Sequence, residues 1–78
     1  MEKALKIDFT TKEYVDSEWM QVTVRGIKFA GEYDVDIYYA RQFGSYVWET
    51  VKCEHVTCKR VSTINKRLAA NGLTCKMD

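Results

Sequence analysis

The sequence predicts a small α+β fold: an antiparallel four-stranded meander with one C-terminal helix packed on one face, in two layers. Three observations predict it. From Trp19 to Tyr39 apolar and polar residues alternate almost without interruption, which is the period of half-buried antiparallel strands. Turn chemistry rests on Gly26, Gly31, Gly44 and Gly72, with no proline anywhere, so the alternating runs are punctuated by glycine alone. Near the C-terminus the period changes, and Val61, Ile64 and Leu68 cluster on one side of a helical wheel, flanked by Cys58 and Ala69. One helix over one side of an antiparallel sheet is a two-layer arrangement.

The elements follow in order. Leu5, Ile7 and Phe9 alternate with Lys6, Asp8 and Thr10, so residues 4–10 read as the first strand. Residues 11–18 are polar and read as a connection with room for a turn of helix. Trp19 to Phe29 reads as the second strand. Its parity changes at Gly26, where Val22 and Val24 give way to Ile27 and Phe29, as a bulge at a glycine would produce. Ala30-Gly31-Glu32 is a turn, and residues 33–40 form the third strand. Arg41 to Ser45 is the next turn. A fourth strand runs from Tyr46 to about Glu54, favoured by Val, Thr and aromatic residues. Val47, Val51, Cys58 and Val61 also share a helical stripe, so residues 52–60 stand open between strand, loop and helix. The helix is expected from about Cys58, capped by Thr57 or Ser62, and stopped at Asn71-Gly72. Leu73 to Met77 reads as a short edge strand.

A chain of 78 residues is expected to form a single domain over 1–78 that buries roughly 60% of its unfolded surface. A content of 46% hydrophobic and 29% charged residues, with five Tyr, three Phe and two Trp, is that of a folded domain rather than a disordered one. No apolar stretch is long enough to span a bilayer, and no leader pattern precedes a cleavage site. Three cysteines are a poor disulfide set. The expectation is a cytoplasmic protein with no membrane contact. The net charge of +1 is unevenly spread, with −3 over residues 1–51 and +4 over residues 52–78.

Side-chain parity carries the functional expectation. If Val22, Val24, Val35 and Ile37 face the helix, the other face carries Trp19, Arg25, Asp34, Asp36, Tyr38, Tyr46 and Trp48. Exposed indole and phenol rings beside arginine have the composition of a protein–protein hot spot. Cross-strand pairing that only stabilises the sheet is the competing account. The reading is a small non-enzymatic binding protein, an inhibitor, adaptor or regulator of the size found in phage and mobile elements. It docks the aromatic face or a sheet edge on a protein partner. Self-association through an edge or that face is a further route.

The alternative is a nucleic-acid-binding module. On a helix from about Cys58, Lys59 stacks with Lys66 and Arg60 with Arg67, a basic face that could neutralise phosphates. Asp34 and Asp36, on the face that would read bases, argue against it. The acidic residues Glu13, Asp16, Glu18, Glu32, Asp34 and Asp36 form a candidate negative patch, or simply keep the chain in solution.

Cys53, His55, Cys58 and Cys75 are the set that zinc would use. Three of them crowd one segment with no glycine knuckle, and a strand would send Cys58 to the face opposite Cys53 and His55. No metal or other cofactor is therefore expected, and the thiols read as small hydrophobes. Cys53 and His55 could also pair as nucleophile and base, but one sheet with one helix offers little cleft. No phosphate-cradling loop, Gly-x-Ser-x-Gly or His-Glu-x-x-His motif is present. No enzymatic activity is expected.

Overall fold

A computed structural model describes residues 3–43 and 47–78. Strands β1 (Leu5–Val15), β2 (Glu18–Phe29), β3 (Glu32–Phe43) and β4 (Val47–Cys58) precede the helix α1 (Val61–Ala70). The four strands form one open sheet in the order β1-β2-β3-β4, and every neighbouring pair is antiparallel. The fold is the expected α+β meander with a C-terminal helix. At a rise of about 3.4 Å per residue, strands of this length make the molecule elongated, 47 Å in its longest dimension.

The first strand is longer than its sequence suggests. Residues 11–15 are strand, not connection, and continue to pair with β2 through Val15↔Glu18. Polar content misleads here because Thr11, Glu13 and Val15 share one side of an edge strand while Lys12 and Tyr14 share the other. The chain reverses in two residues, Asp16 and Ser17, both at positive φ (50° and 67°). Ala30 and Gly31 do the same between β2 and β3, at 53° and 76°. Two successive left-handed residues give the backbone twist that suits a two-residue hairpin loop. Glycine therefore supplies only one of these four turn positions.

Gly26 carries no bulge. Its register runs unbroken as Ile7↔Gly26↔Val35. A Cβ there would press on the Asp34 carbonyl and stand 2.7 Å from Val35 Cα. Glycine is required by the closeness of β3, so the parity continues and Ile27 and Phe29 project onto the face opposite Val22 and Val24. The irregularity lies elsewhere: pairing with β4 shifts between Tyr39 and Ala40, whose partners are Lys52 and Thr50. Val51 is the extra residue. β4 continues to Cys58, which settles most of the 52–60 segment as strand. Arg41, Gln42 and Phe43 belong to β3 rather than to a turn, while Gly44, Ser45 and Tyr46 lie outside the described residues.

The helix begins at Val61, with Arg60 as its N-cap and no side-chain cap bond, so neither Thr57 nor Ser62 caps it. Its end is the expected one. Gly72 takes a φ of 81°. Its N–H donates to Ala69 O (3.0 Å) and the Leu73 N–H donates to Leu68 O (3.1 Å), the paired bonds of a glycine-terminated helix. Ile64 and Leu68 pack on Val22, Val24, Val35, Ile37, Tyr39 and Val56 in one buried cluster.

A polar network pins the helix end to β3 and β4. The Tyr39 hydroxyl donates to Glu54 Oε1 (2.7 Å), and the Asn71 amide donates to Tyr39 Oη (3.0 Å) and Arg67 O (2.8 Å). Lys52 Nζ donates to Asn71 Oδ1 (2.9 Å). Burial first, and then Glu54, keep the Tyr39 hydroxyl protonated far above its usual range.

Ten helical residues span about 15 Å, too little to cover the sheet. The remaining cover is the C-terminal segment, which is not the expected edge strand. Leu73 and Met77 are buried in the core, and the segment lies on the helix side of the sheet as a strap. Asn65 grips it by accepting from the Met77 N–H (2.8 Å) and donating to Met77 O (3.0 Å). Glu13 on β1 accepts the Thr74 N–H (2.9 Å), the Thr74 hydroxyl and the Cys75 N–H (3.3 Å). These donors, the Thr74 hydroxyl foremost, hold the Glu13 carboxyl below its ordinary value.

Candidate interaction surface

α1 and its strap occupy one side of the sheet, which leaves the other side open. The open face is laid out in cross-strand rows by the pairing registers. At one end stand Tyr14, Trp19, Gln42 and Trp48. Next comes Lys12–Gln21–Ala40–Thr50, then Thr10–Thr23–Tyr38–Cys53, then Asp8–Arg25–Asp36–His55, then Lys6–Ile27–Asp34–Thr57, and last Phe29 with Glu32. Trp19, Arg25, Asp34, Asp36, Tyr38 and Trp48 therefore share this face as expected. Tyr46 lies outside the described residues.

The aromatic end is more than two tryptophans. Trp19 is 47% exposed, and its ring meets Tyr14 edge-on with centroids 5.3 Å apart. Lys12 Nζ stands 5.4 Å from the centre of the Trp48 ring, within cation–π range. Lys12, Trp19, Gln42 and Trp48 together line a shallow hollow. A second hollow between Thr23, Arg25, Tyr38 and Thr50 continues it toward the middle of the sheet. At the far end Ile27 and Phe29, 43% and 49% exposed, line a third with Glu32, Asp34 and Thr57. Tyr14, Ile27 and Phe29 are absent from the set that the sequence suggests, although parity could have found them. The polar run around Tyr14 reads as a loop, and a bulge at Gly26 would turn the other two inward.

Between the two apolar ends the charges pair with one another. Arg25 Nε stands 3.6 Å from Asp8 Oδ1. His55 lies between two carboxylates, with Nδ1 2.8 Å from Asp36 Oδ1 and Nε2 2.8 Å from Asp34 Oδ1. A neutral imidazole has one N–H, so two carboxylate acceptors call for the doubly protonated ring. The Asp36 hydrogen bond foremost, aided by the charges of Asp34 and Asp36, raises the pKa of His55. Both ring nitrogens are occupied, which leaves no lone pair to serve Cys53 as a base.

The other candidate constellations do not assemble. Lys59 lies between β4 and α1 and Arg60 only caps the helix, so the four cations do not share a helical face. Lys66 and Arg67 are on α1, and Arg67 Nη1 faces Glu54 Oε2 at 3.7 Å. Cys53 and His55 point to the open face. Cys58 and Cys75 pack against the core on the other side, where burial foremost raises the Cys75 thiol. No group of ligating residues among those described is placed to hold a metal ion. The six acidic residues do not form one patch: Glu13 holds the strap, Asp16 lies in the turn after β1 and Glu18 pairs with Arg41 at 3.0 Å, while Glu32, Asp34 and Asp36 stay together on the open face, the last two on His55.

Among the described residues no helix is long and apolar enough to cross a membrane. Comparisons with protein families, with curated proteins and with solved structures find no match.

Proposed function

We propose that this chain is a small non-enzymatic binding protein, of the inhibitor or adaptor kind, that docks the open face of its sheet on a protein partner. The observation that carries this reading is the Trp19 ring, half-exposed on the side of the sheet away from α1, beside Tyr14, Trp48 and Lys12. Rigid aromatic area of this kind is buried in a partner at low entropic cost. Trp19, Tyr38 and Trp48 act as anchors, while Arg25, Asp34 and Asp36 set orientation. The internal pairing of Asp8 with Arg25 and of Asp34 and Asp36 with His55 supports burial, because paired charges leave less to desolvate unmatched. Three free thiols suit a reducing, cytoplasmic setting, and the size suits a phage or mobile-element regulator.

Affinity capture from native extract, with a nuclease-treated control, tests the proposal. The partner is expected to survive nuclease and raised salt, and to be kept by the pair Lys66→Ala and Arg67→Ala. It is expected to be lost from the pair Trp19→Ala and Tyr38→Ala. Full capture by that aromatic double variant would remove the docking face from consideration. A complex that weakens log-linearly with salt would point instead to phosphate contacts.

A further inference from the structure

The two edges of the sheet are built differently. β4 is interrupted by the extra residue at Val51, a device that twists an edge away from further pairing. β1 has no such defence. Its register with β2 runs unbroken over eleven residues, Leu5 to Val15, and it contains no proline. Among the described residues, backbone hydrogen bonds made outside the sheet and helix all fall between Arg60 and Leu73. The strap hydrogen-bonds to β1 through the Glu13 side chain, which leaves the β1 backbone groups untouched. The outer backbone groups of β1 therefore face away from the protein with no partner among the described residues.

The sequence of this strand is complementary to itself when reversed. Aligned antiparallel about Thr10, β1 places Asp8 opposite Lys12 of a second copy, and Lys12 opposite its Asp8. Lys6 falls opposite Tyr14, Thr10 opposite Thr10, Phe9 opposite Thr11 and Leu5 opposite Val15, while Ile7 falls opposite Glu13, whose carboxylate is already held by the strap of its own copy. Opposite charges, Thr–Thr pairs and apolar pairs are the cross-strand partners that stabilise an antiparallel ladder. Leu5, 59% exposed beyond the reach of α1, gains an apolar neighbour. Neither Lys6 nor Lys12 has a carboxylate partner among the described residues, and Lys12 leaves only the Trp48 ring to reach Asp8 of the second copy.

We propose that two copies of this chain pair through β1, antiparallel and centred on Thr10, to form a continuous eight-stranded sheet with a two-fold axis through that residue. The arrangement is isologous and closed, so it ends at two copies while the bulged β4 edges stay outermost. Lysines on an edge strand ordinarily discourage pairing. Here they select the register. A slip of two residues brings Lys6 opposite Lys12 or moves Lys12 off Asp8, and a slip of one turns the helix face against the open face. The pairing runs along the β1 border of the open face, where it draws Lys12 away from the Trp48 ring, and it places two such faces side by side.

Three measurements on the full chain test it. Sedimentation equilibrium of the wild type is expected to give twice the 9.1 kDa chain mass. Lys12→Asp and Asp8→Lys each set like charges opposite one another twice, and each is expected to weaken self-association by about tenfold or more. Mixed together, the two variants oppose acid to base at all four positions and are expected to associate again. That recovery cannot come from a chain that has merely failed to fold. Thr10→Cys places two thiols across the axis at a Cα separation of about 4.5–5.5 Å, inside the range a disulfide spans. Mild oxidation of that variant is expected to yield a disulfide-linked peptide that joins position 10 of one copy to position 10 of the other. A wild type that stays monomeric at high concentration, variants that associate as the wild type does, or a dimer without that cross-link would each overturn the proposal.

Discussion

The two faces of this one sheet use the same strands for opposite ends. On the helix face, alternate residues of β2 and β3 are the aliphatics Val22, Val24, Val35 and Ile37, sealed by Ile64, Leu68, Leu73 and Met77. On the open face, residues one step along the same strands are Trp19, Thr23, Arg25, Asp34, Asp36 and Tyr38. No buried polar side-chain atom among the described residues lacks a partner, so the sealed face is satisfied within itself. The open face pairs Arg25 with Asp8 and His55 with Asp34 and Asp36, and leaves Tyr14, Trp19, Ile27 and Phe29 exposed. The contrast teaches that one residue of parity separates the sealed core from the exposed rings.

The largest expected effect comes from breaking the sealed side. Leu68→Ala removes a fully buried side chain at the helix end that also carries the Tyr39, Glu54 and Asn71 network. A loss of about 2–5 kcal/mol is expected, which in a domain of this size approaches the whole margin. Chemical denaturation would show it as a lower midpoint with an unchanged slope.

A smaller effect is expected where the two faces share a backbone constraint. Gly26→Ala forces a Cβ against the Asp34 carbonyl and Val35. Strain of about 1–3 kcal/mol is expected, again read from denaturation. Because Asp34 belongs to the strand segment that holds His55, the same variant is expected to shift the His55 ring resonances in an NMR spectrum.

The smallest effect sharpens the comparison from the open side. The folded state raises the pKa of His55, so its contribution to stability is fully present below the unfolded value of about 6.5 and is lost as pH rises through the higher folded value. His55→Gln is expected to melt below the wild type in mild acid, with the gap closing on the alkaline side. A gap that widened with pH would mean that Asp34 and Asp36 do not hold the imidazolium.

Much of the fold is legible because a strand's side-chain period is two wherever it lies. Val22, Val24, Val35 and Ile37 are core, and Trp19 and Tyr38 face away from the helix, as alternation alone predicts. Ile64, Leu68 and the Asn71-Gly72 stop are equally plain. The failures share a cause, which is that each depends on a neighbour outside the segment. Thr11 to Val15 reads as loop because an edge strand needs few apolar residues. Gly26 suggests a bulge because closeness of β3 leaves no trace in the sequence. The basic helical face dissolves because the helix begins three residues later than its stripe allows.

Local pattern thus determined the faces of Trp19, Val22, Val24, Val35, Ile37 and Tyr38, since alternation is a property of neighbouring positions. Tertiary structure alone decided that Asp34 and Asp36 clasp His55, that Glu13 ties down the C-terminal strap, and that Tyr39, Glu54 and Asn71 meet. Each of these contacts joins residues between 15 and 62 positions apart. Such meetings depend on strand register and helix docking, which are set by the packing of the whole core rather than by any one segment.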